Sequence, residues 1–152
     1  MATNWFMKTE SGEMEYSSVD RFPSECVGFI YKITNTKTGM FYIGRKSLYS
    51  TVTKKLTKKE LEEHTKPGKK PTKKKVTSES NWKDYWGSSD VLLKEIKVEG
   101  EDNYAREILK LCYNKKQLTY WELHYQCVNE VLLTDKSYNS NILSKFYRKD
   151  LL

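Results

Sequence analysis

Two short runs of strand-forming residues, separated by a turn, constrain the fold of this chain more than any other feature. The first run, residues 28–34, reads GFIYKIT, and the second, residues 40–44, reads MFYIG. Aromatic and β-branched residues of this kind favour strands. The intervening residues 35–39 read NTKTG, and asparagine and glycine are typical of tight turns. The pattern therefore predicts a β-hairpin.

Each predicted strand carries a phenol, Tyr31 on the first and Tyr42 on the second, and two cations, Arg45 and Lys46, follow the second strand. A phenol with an ordinary pKa near 10 is a poor base unless a neighbouring cation favours the phenolate. Arg45 and Lys46 are close enough in sequence to supply that charge. Tyrosines in a hairpin are more often half-buried sheet residues, so the pair alone does not indicate catalysis.

The charge of the chain points to a polyanionic partner. Among 152 residues, 27 are Lys or Arg and 20 are Asp or Glu, which gives a net charge of +7. Such an excess favours nucleic acid, and less often an anionic membrane. The length suits one domain, so we expect a single domain over residues 1–152.

Ten lysines crowd residues 54–75, directly after the hairpin. Thr57 and Glu60 have the spacing of a capping box, which predicts a short helix over residues 58–64, and Pro67-Gly68 with Pro71 predict a loop. This insert, residues 50–80, lacks core residues and is expected to be exposed and mobile. A solvated insert is one interpretation, and contact with a nucleic-acid backbone is the other. The candidate contacts are Lys54, Lys55, Lys73, Lys74 and Lys75.

Periodic apolar residues return after the insert. Ser88 or Ser89 caps a predicted helix that ends at Gly100 and buries Val91, Leu92 and Ile96, with Leu93 a further candidate for its apolar face. Residues 104–112 fit a strand or a helix equally well. A second helix is predicted from Lys115 to Leu132, with Glu122 beside an apolar stripe of Leu118, Trp121, Tyr125, Val128 and Leu132. This order predicts an α+β fold with a small antiparallel three-stranded sheet flanked by helices.

The remaining segments carry weaker signals. Residues 1–27 are mixed, and we expect an N-terminal arm in which Trp5 to Met7 form an edge strand or a packing arm. Trp82, Tyr85 and Trp86 are expected to pack in the core, with Lys83 among them a candidate phosphate contact. Three cysteines without a CxxC pair indicate neither a zinc site nor a disulfide framework. No secretory signal or run of about 20 apolar residues is visible, so we expect a cytoplasmic protein without a membrane partner.

Several of these features together resemble the GIY-YIG nuclease superfamily. The triplets Phe29-Ile30-Tyr31 and Tyr42-Ile43-Gly44 resemble its paired signature, and residues 87–109 are similar to its central helix and strand. Glu122 falls where the family has a helix glutamate, and Asn139 and Asn141 match its late asparagine motif. The resemblance spans residues 28–143 and is strongest to small phage members of the homing-endonuclease type.

The chain departs from the family pattern at two points. The first triplet begins with Phe29, and the glycine stands one place earlier, at Gly28. The family also has an arginine on the helix after the second triplet, whereas this chain has none between Arg45 and Arg106. The cation that contacts phosphate is therefore expected to be Arg45, Lys46 or a lysine of the insert.

The resemblance implies a metal-dependent DNA endonuclease. It implies that Tyr31 is the base, that Tyr42 orients water or holds a phosphate oxygen, and that Glu122 binds one Mg²⁺ or Mn²⁺ ion. A hard cation that keeps most of its waters suits a single carboxylate ligand. Asn141 is favoured over Asn139 as a supporting residue of the site. The substrate implied is double-stranded DNA, in the host cytoplasm if the chain is phage-encoded.

Two other functions fit the same residues. One is a DNA-binding or anti-restriction module that keeps the fold without turnover, although all the residue types of a complete site are present. The other is an RNA-directed nuclease, since phosphate contacts do not distinguish RNA from DNA. A small nuclease with one site needs two visits or a homodimer to cut both strands, and the sequence leaves that choice open.

Overall fold

The computed structural model of the protein describes residues 4–63 and 72–152. The predicted loop at Pro67-Gly68 and Pro71, together with His64, Lys66, Lys69 and Lys70, lies outside the described residues. The chain divides into two compact units, Met1–Leu48 with Asn81–Leu152, and Tyr49–Ser80. A single nuclease domain over residues 1–152 stays a prediction.

The described residues form nine strands and four helices, α1 to α4. The strands are β1 (Trp5–Thr9), β2 (Gly12–Tyr16), β3 (Gly28–Asn35), β4 (Phe41–Ser47), β5 (Tyr49–Lys55), β6 (Lys73–Glu79), β7 (Tyr104–Cys112), β8 (Asn141–Ile142) and β9 (Phe146–Tyr147). The helices are α1 (Lys58–Glu62), α2 (Asp90–Glu99), α3 (Lys115–Val128) and α4 (Arg148–Leu151).

The first unit is built on a mixed five-stranded sheet with the strand order β2-β1-β7-β3-β4. Strands β3 and β4 form the predicted hairpin, in which Tyr31 pairs with Gly44. Strand β7 pairs with β3 in the antiparallel sense, whereas β1 runs parallel to β7. The predicted three-stranded antiparallel sheet was therefore wrong in size and type. The segment expected to be an arm adds a hairpin, β1–β2, which Trp5 and Tyr16 anchor in the core.

The sheet separates two apolar clusters because residues along β3 alternate between its faces. On one face, Phe29, Tyr31 and Ile33 pack in the cluster that includes Leu92 and Ile96 of α2. On the other face lie Ile30 of β3, Ile43 of β4 and Leu118 of α3. The edge strand β4 is thus flanked by both layers.

The predicted capping residues of the helices agree with the structure better than the predicted buried residues do. Ser89 caps α2 by accepting a hydrogen bond from the backbone N–H of Leu92, and Gly100 ends the helix with a φ of 86°. Val91 is 65% exposed, because a ten-residue helix lying on a sheet buries little more than an i, i+4 pair. Helix α3 ends at Val128, which is 65% exposed, so the prediction that this valine is buried was wrong.

The second unit contains two strands that the sequence analysis did not predict. Strands β5 and β6 pair in the antiparallel sense along their whole length. Helix α1 begins directly after Thr57, and the predicted capping box of Thr57 with Glu60, the third residue of the helix, is confirmed. Among the described residues, no helix combines the length and the apolar character needed to cross a bilayer.

Candidate active site

A pocket of about 500 Å³ lies beside the edge strand β4. Five of the residues predicted to form the site line its wall, although they come from distant parts of the chain: Tyr31, Tyr42, Arg45, Glu122 and Asn141. The only carboxylate on this wall, within the described residues, is that of Glu122. The fold therefore brings the two predicted phenols, one guanidinium and one carboxylate together at a single polar concavity, where Tyr138 adds a third phenol.

The two phenols and the Arg45–Glu122 ion pair reach the pocket from opposite sides of the sheet. Tyr31 and Tyr42 belong to the layer that contains α2. Arg45 is an odd-numbered residue of β4, like Ile43, and lies on the side of α3, where its Nε is 3.7 Å from a carboxylate oxygen of Glu122. The register of β3 with β7 shifts between Ile30 and Tyr31, as at a β-bulge, and leaves Leu109 of β7 without a partner on β3. Bulges of this kind re-aim side chains and are frequent beside active sites.

Tyr31 reaches the pocket across Gly44, its partner on β4. A Cβ atom added to Gly44 would lie 2.5 Å from the Tyr31 hydroxyl oxygen and 2.8 Å from its Cζ. Only glycine leaves room for the ring at this place. The glycine of the second triplet thus has a steric function, which is to leave room for the Tyr31 phenol beside β4.

Burial keeps both phenols neutral. Desolvation raises the pKa of Tyr31 well above its ordinary value, and the neighbouring Tyr42, Tyr85 and Glu122 raise it further. Desolvation also raises the pKa of Tyr42, although a 2.8 Å hydrogen bond with Ser88 opposes this. Both phenols therefore hold their protons in the unliganded protein, and a phenolate favoured by Arg45 or Lys46 stays a prediction.

Glu122 is largely buried, with 16% of its side chain exposed. Burial raises the pKa of its carboxyl above the ordinary value, and Arg45 partly offsets this effect. The Arg45 guanidinium is held in place by a 2.6 Å hydrogen bond from its Nη1 to the hydroxyl of Thr119, one turn before Glu122 on α3. The pair therefore presents one anchored cation and one carboxylate with raised proton affinity.

Lys46 does not line this pocket. Its Nζ donates a 2.7 Å hydrogen bond to Asn81 and lies 4.2 Å from the centroid of the Tyr85 ring. Desolvation lowers its pKa. The Tyr85 ring packs edge-on against that of Tyr31, with 5.9 Å between centroids, so Lys46 reaches the site only through the intervening Tyr85 ring. Of the two predicted cations, only Arg45 stands on the pocket wall.

Asn139, rather than Asn141, makes side-chain hydrogen bonds to β4, the outer strand of the hairpin. Its side chain accepts from the backbone N–H of Ile43 at 3.0 Å and donates to the carbonyl of the same residue at 2.8 Å. Asn141 uses its amide locally, with Ser140 and Ser144, and no hydrogen bond joins it to Glu122 within the described residues. Asn139 thus supports β4 at Ile43, and the supporting role of Asn141 on the pocket wall stays a prediction.

We expect Asn139→Ala to destabilise the protein by about 1–3 kcal/mol, because it leaves the buried N–H of Ile43 without its partner. Asn141→Ala is the matched control and is expected to cost at most about 1 kcal/mol. Urea unfolding of the two variants measures the difference. Equal losses in the two variants would contradict the assignment of the clamp to Asn139.

Gln126 is a residue of the pocket wall that the sequence analysis missed. It lies one turn after Glu122 on α3 and is 5% exposed. Its Nε2 donates to the carbonyl of Ile43 at 3.0 Å, while its Oε1 is buried and has no hydrogen-bond partner among the described atoms. The i, i+4 spacing from Glu122 was the available signal, since such residues share a helix face.

Comparison with known proteins identifies the family of this site. Residues 12–147 match the model of the family described as "Putative endonuclease segE, GIY-YIG domain". The chain belongs to the GIY-YIG endonuclease family. Neither the curated proteins nor the solved structures contain a match to the chain. The chain therefore carries a nuclease domain, and the resemblance inferred from its two triplets is confirmed.

The displaced glycine of the GIY-YIG signature has a structural explanation. A Cβ atom on Gly28 would lie 2.5 Å from the carbonyl oxygen of Lys46 and 3.1 Å from the Leu118 side chain. Phe29, in the usual place of the glycine, is fully buried with its ring 4.9 Å from that of Trp5. Close approach of β3, β4 and α3 thus requires a glycine at position 28 of this chain.

GIY-YIG nucleases typically use divalent metal ions, and the donors of this pocket fit such an ion. Its wall offers carboxylate, hydroxyl and amide oxygens, which are the ligands of hard cations. No cluster of three or more His, Cys, Asp or Glu side chains occurs in the described residues. A single carboxylate suffices for Mg²⁺, which retains most of its waters.

The predicted DNA contacts lie in both units. Lys83 belongs to the first unit, with its Nζ 5.9 Å from the centroid of the buried Trp82 ring. Trp82 and Trp86 are core residues, as predicted. The five lysines predicted in the insert all belong to strands β5 and β6 of the second unit. Their contacts with nucleic acid stay predictions.

Proposed function

We propose that this protein is a DNA endonuclease that hydrolyses phosphodiester bonds in the pocket beside β4, with one divalent ion held by Glu122. The observation that carries this proposal is the convergence of Tyr31, Tyr42, Arg45 and Glu122 on one pocket of a GIY-YIG domain. Phosphodiester hydrolysis needs an activated water, charge stabilisation and assistance to the leaving oxygen. The residue types for these three tasks line one wall.

Arg45 is the residue we assign to the scissile phosphate. Its guanidinium is fixed by Thr119 and by Glu122, so it is positioned before substrate arrives. Guanidinium groups form paired hydrogen bonds with phosphate oxygens. Arg45 thereby takes the role of the helix arginine that this chain lacks.

Glu122 would hold the divalent ion, with Gln126 offering an amide group one turn away. When bound, a divalent ion polarises the phosphate and neutralises charge on the leaving oxygen. The carboxylate that binds it must be deprotonated, so ion binding competes with the raised proton affinity of Glu122. We propose Mg²⁺ or Mn²⁺, since oxygen ligands suit both.

The phenols orient and deprotonate the attacking water in this proposal. Tyr42 shares a hydrogen bond with Ser88 and is the more exposed of the two, so its hydroxyl is placed to orient water or a phosphate oxygen. Tyr31 is the proposed base. Because its pKa is raised, Tyr31 would accept a proton from water only as the phenolate, after releasing its own proton to solvent. Bound positive charge would favour that release, and the pocket offers Arg45 and the ion site at Glu122 for this purpose.

We expect cleavage to fall at acidic pH, with an acid limb set by Glu122. Its raised carboxyl pKa means that protonation begins at a higher pH than for an ordinary glutamate. Because metal and proton compete for this carboxylate, saturating Mg²⁺ should shift the limb to lower pH. Cleavage rates across pH at low and at saturating Mg²⁺ measure this shift. A limb that does not move with Mg²⁺ would exclude Glu122 as its origin.

The substrate class is tested by parallel cleavage of matched DNA and RNA duplexes. We propose double-stranded DNA, with a homing-type role in a phage, and two visits or a homodimer for a double-strand break. Cleavage of DNA with little cleavage of RNA is the expected result. Preferential RNA cleavage would overturn the substrate proposal and leave the nuclease assignment intact.

A further inference from the structure

The second unit presents an unusual concentration of like charge. In the ribbon formed by β5 and β6, Lys54 stands opposite Lys74, and Lys55 stands opposite Lys73. Like charges directly across an antiparallel pair destabilise it. A two-stranded ribbon is marginal in water, and no residue of either strand is buried. The ribbon therefore keeps its lysines at the expense of its own stability, which indicates a polyanion that offsets the repulsion.

The two faces of the ribbon differ in chemistry, because side chains alternate along each strand. One face carries three lysines and three threonines, Thr51, Thr53, Lys55, Lys73, Lys75 and Thr77, with the pair Tyr49 and Glu79 at one end. The hydroxyls of Thr51 and Thr77 are hydrogen-bonded at 3.0 Å across the strands. Within residues 4–63 and 72–152, none of these three lysines makes an ion pair. We call this surface the lysine–threonine face.

The opposite face is partly neutralised and partly apolar. Lys74 forms a 2.6 Å ion pair with Glu60 of α1 on this side. Val52 and Val76 face each other beside it. The charge available for a partner is therefore greater on the lysine–threonine face.

We propose that the lysine–threonine face of this ribbon binds in the major groove of double-stranded DNA. The inference deepens the proposed function and rests on it. A two-stranded β-ribbon fits the major groove, which is about 12 Å wide. Seven-residue strands extend about 20 Å, so the ribbon covers more than half a helical turn. Lys55, Lys73 and Lys75 reach phosphates, while the threonine hydroxyls and methyls face base edges.

The first experiment tests whether the charges of Lys55, Lys73 and Lys75 contribute to DNA binding. Binding of a labelled DNA duplex in EDTA is measured by anisotropy over a range of salt concentrations. The triple variant Lys55→Thr/Lys73→Thr/Lys75→Thr keeps strand-forming residues and removes three charges. We plot the logarithm of the binding constant against the logarithm of the salt concentration. We expect the magnitude of this slope to fall by about 0.9 per lysine, or about 2.7 in all. The triple arginine variant should retain the slope, which controls for folding. An unchanged slope in the threonine variant would overturn the proposal.

Lys54 and Lys55 are adjacent in sequence but lie on opposite faces of the ribbon, so they provide a matched control for which face binds DNA. We expect Lys55→Thr to weaken binding more than Lys54→Thr, and equal effects would refute the face assignment.

Dimethyl sulfate reports guanine N7 in the major groove, so wild type should protect N7 and the triple threonine variant should not. No protection by wild type would refute the groove assignment. The major groove of an RNA duplex is too narrow for the ribbon. If the triple threonine variant lost as much salt slope on an RNA duplex as on DNA, the groove assignment would also be refuted.

Failure of this inference and failure of the proposed function are distinguishable. Cleavage of the same duplex in Mg²⁺ is measured in a separate arm with wild type. Ribbon-dependent binding without cleavage would support the ribbon inference and contradict the endonuclease proposal. Cleavage with a slope that the ribbon variants do not change would support the endonuclease and reject the ribbon.

Discussion

Glu122→Gln is expected to reduce DNA cleavage on the order of 10³-fold while leaving DNA binding intact. The substitution keeps the size and shape of the side chain, so the surrounding helix is preserved. It removes the only carboxylate on the pocket wall within the described residues. It also frees Arg45 from its 3.7 Å ion pair, so affinity for phosphate should stay equal or rise. Activity and binding therefore separate in this variant.

The measurements for Glu122→Gln are single-turnover cleavage, DNA binding in EDTA and titration with Mn²⁺. Glu99→Gln, an exposed glutamate on α2, is the matched control and should behave as wild type. Loss of Mn²⁺ binding together with loss of cleavage would identify Glu122 as the metal ligand. Retained cleavage in Glu122→Gln would contradict the assignment.

Gly44→Ala is expected to lower cleavage on the order of 10²-fold and to destabilise the protein by about 1–3 kcal/mol. The new methyl would lie 2.5 Å from the Tyr31 hydroxyl oxygen and 2.8 Å from Cζ. The buried ring of Tyr31 packs against Trp5, at 5.4 Å between centroids, so it has little room to withdraw. The phenol must therefore shift away from the position in which it lines the pocket.

The double variant Gly44→Ala/Tyr31→Phe separates this clash from a general effect on β4. Removing the hydroxyl removes the closest of the clashing atoms, so part of the lost stability should return. Cleavage should not return, because the proposed base is gone. Urea unfolding and single-turnover cleavage are measured for the two single variants and the double variant. They give the coupling free energy between the two substitutions, for stability and for activity. Additive stability losses would show that the methyl does not act through Tyr31.

The elements with strong local signals could be predicted from sequence, and those set by tertiary contacts could not. The hairpin of β3 and β4, the Ser89 cap and the Thr57–Glu60 capping box each depend on neighbouring residues, and each is present. The β1–β2 hairpin was missed because Trp5 and Tyr16 reveal their role only when packed against the sheet. The ribbon was missed because its strands lack a regular alternation of apolar residues, although the β-branched Thr51 to Thr53 and Val76-Thr77 were visible.

The candidate site shows the same division. Motif order sufficed to nominate Tyr31, Tyr42, Arg45 and Glu122, and the fold places all of them on one wall. Sequence could not separate Arg45 from Lys46, because that depends on which side of β4 each residue faces. Nor could it show that Asn139 holds Ile43, since residues 96 apart in sequence meet only in the folded chain.

Conversion of supercoiled plasmid by the purified protein, in Mg²⁺ and in EDTA, tests the central claim most directly. The account predicts nicked or linear product in Mg²⁺, none in EDTA, and recovery when Mg²⁺ is restored in excess. Absence of product under all three conditions, with plasmid still bound in a shift assay, would contradict the endonuclease. The pocket beside β4 would then belong to a DNA-binding module without turnover.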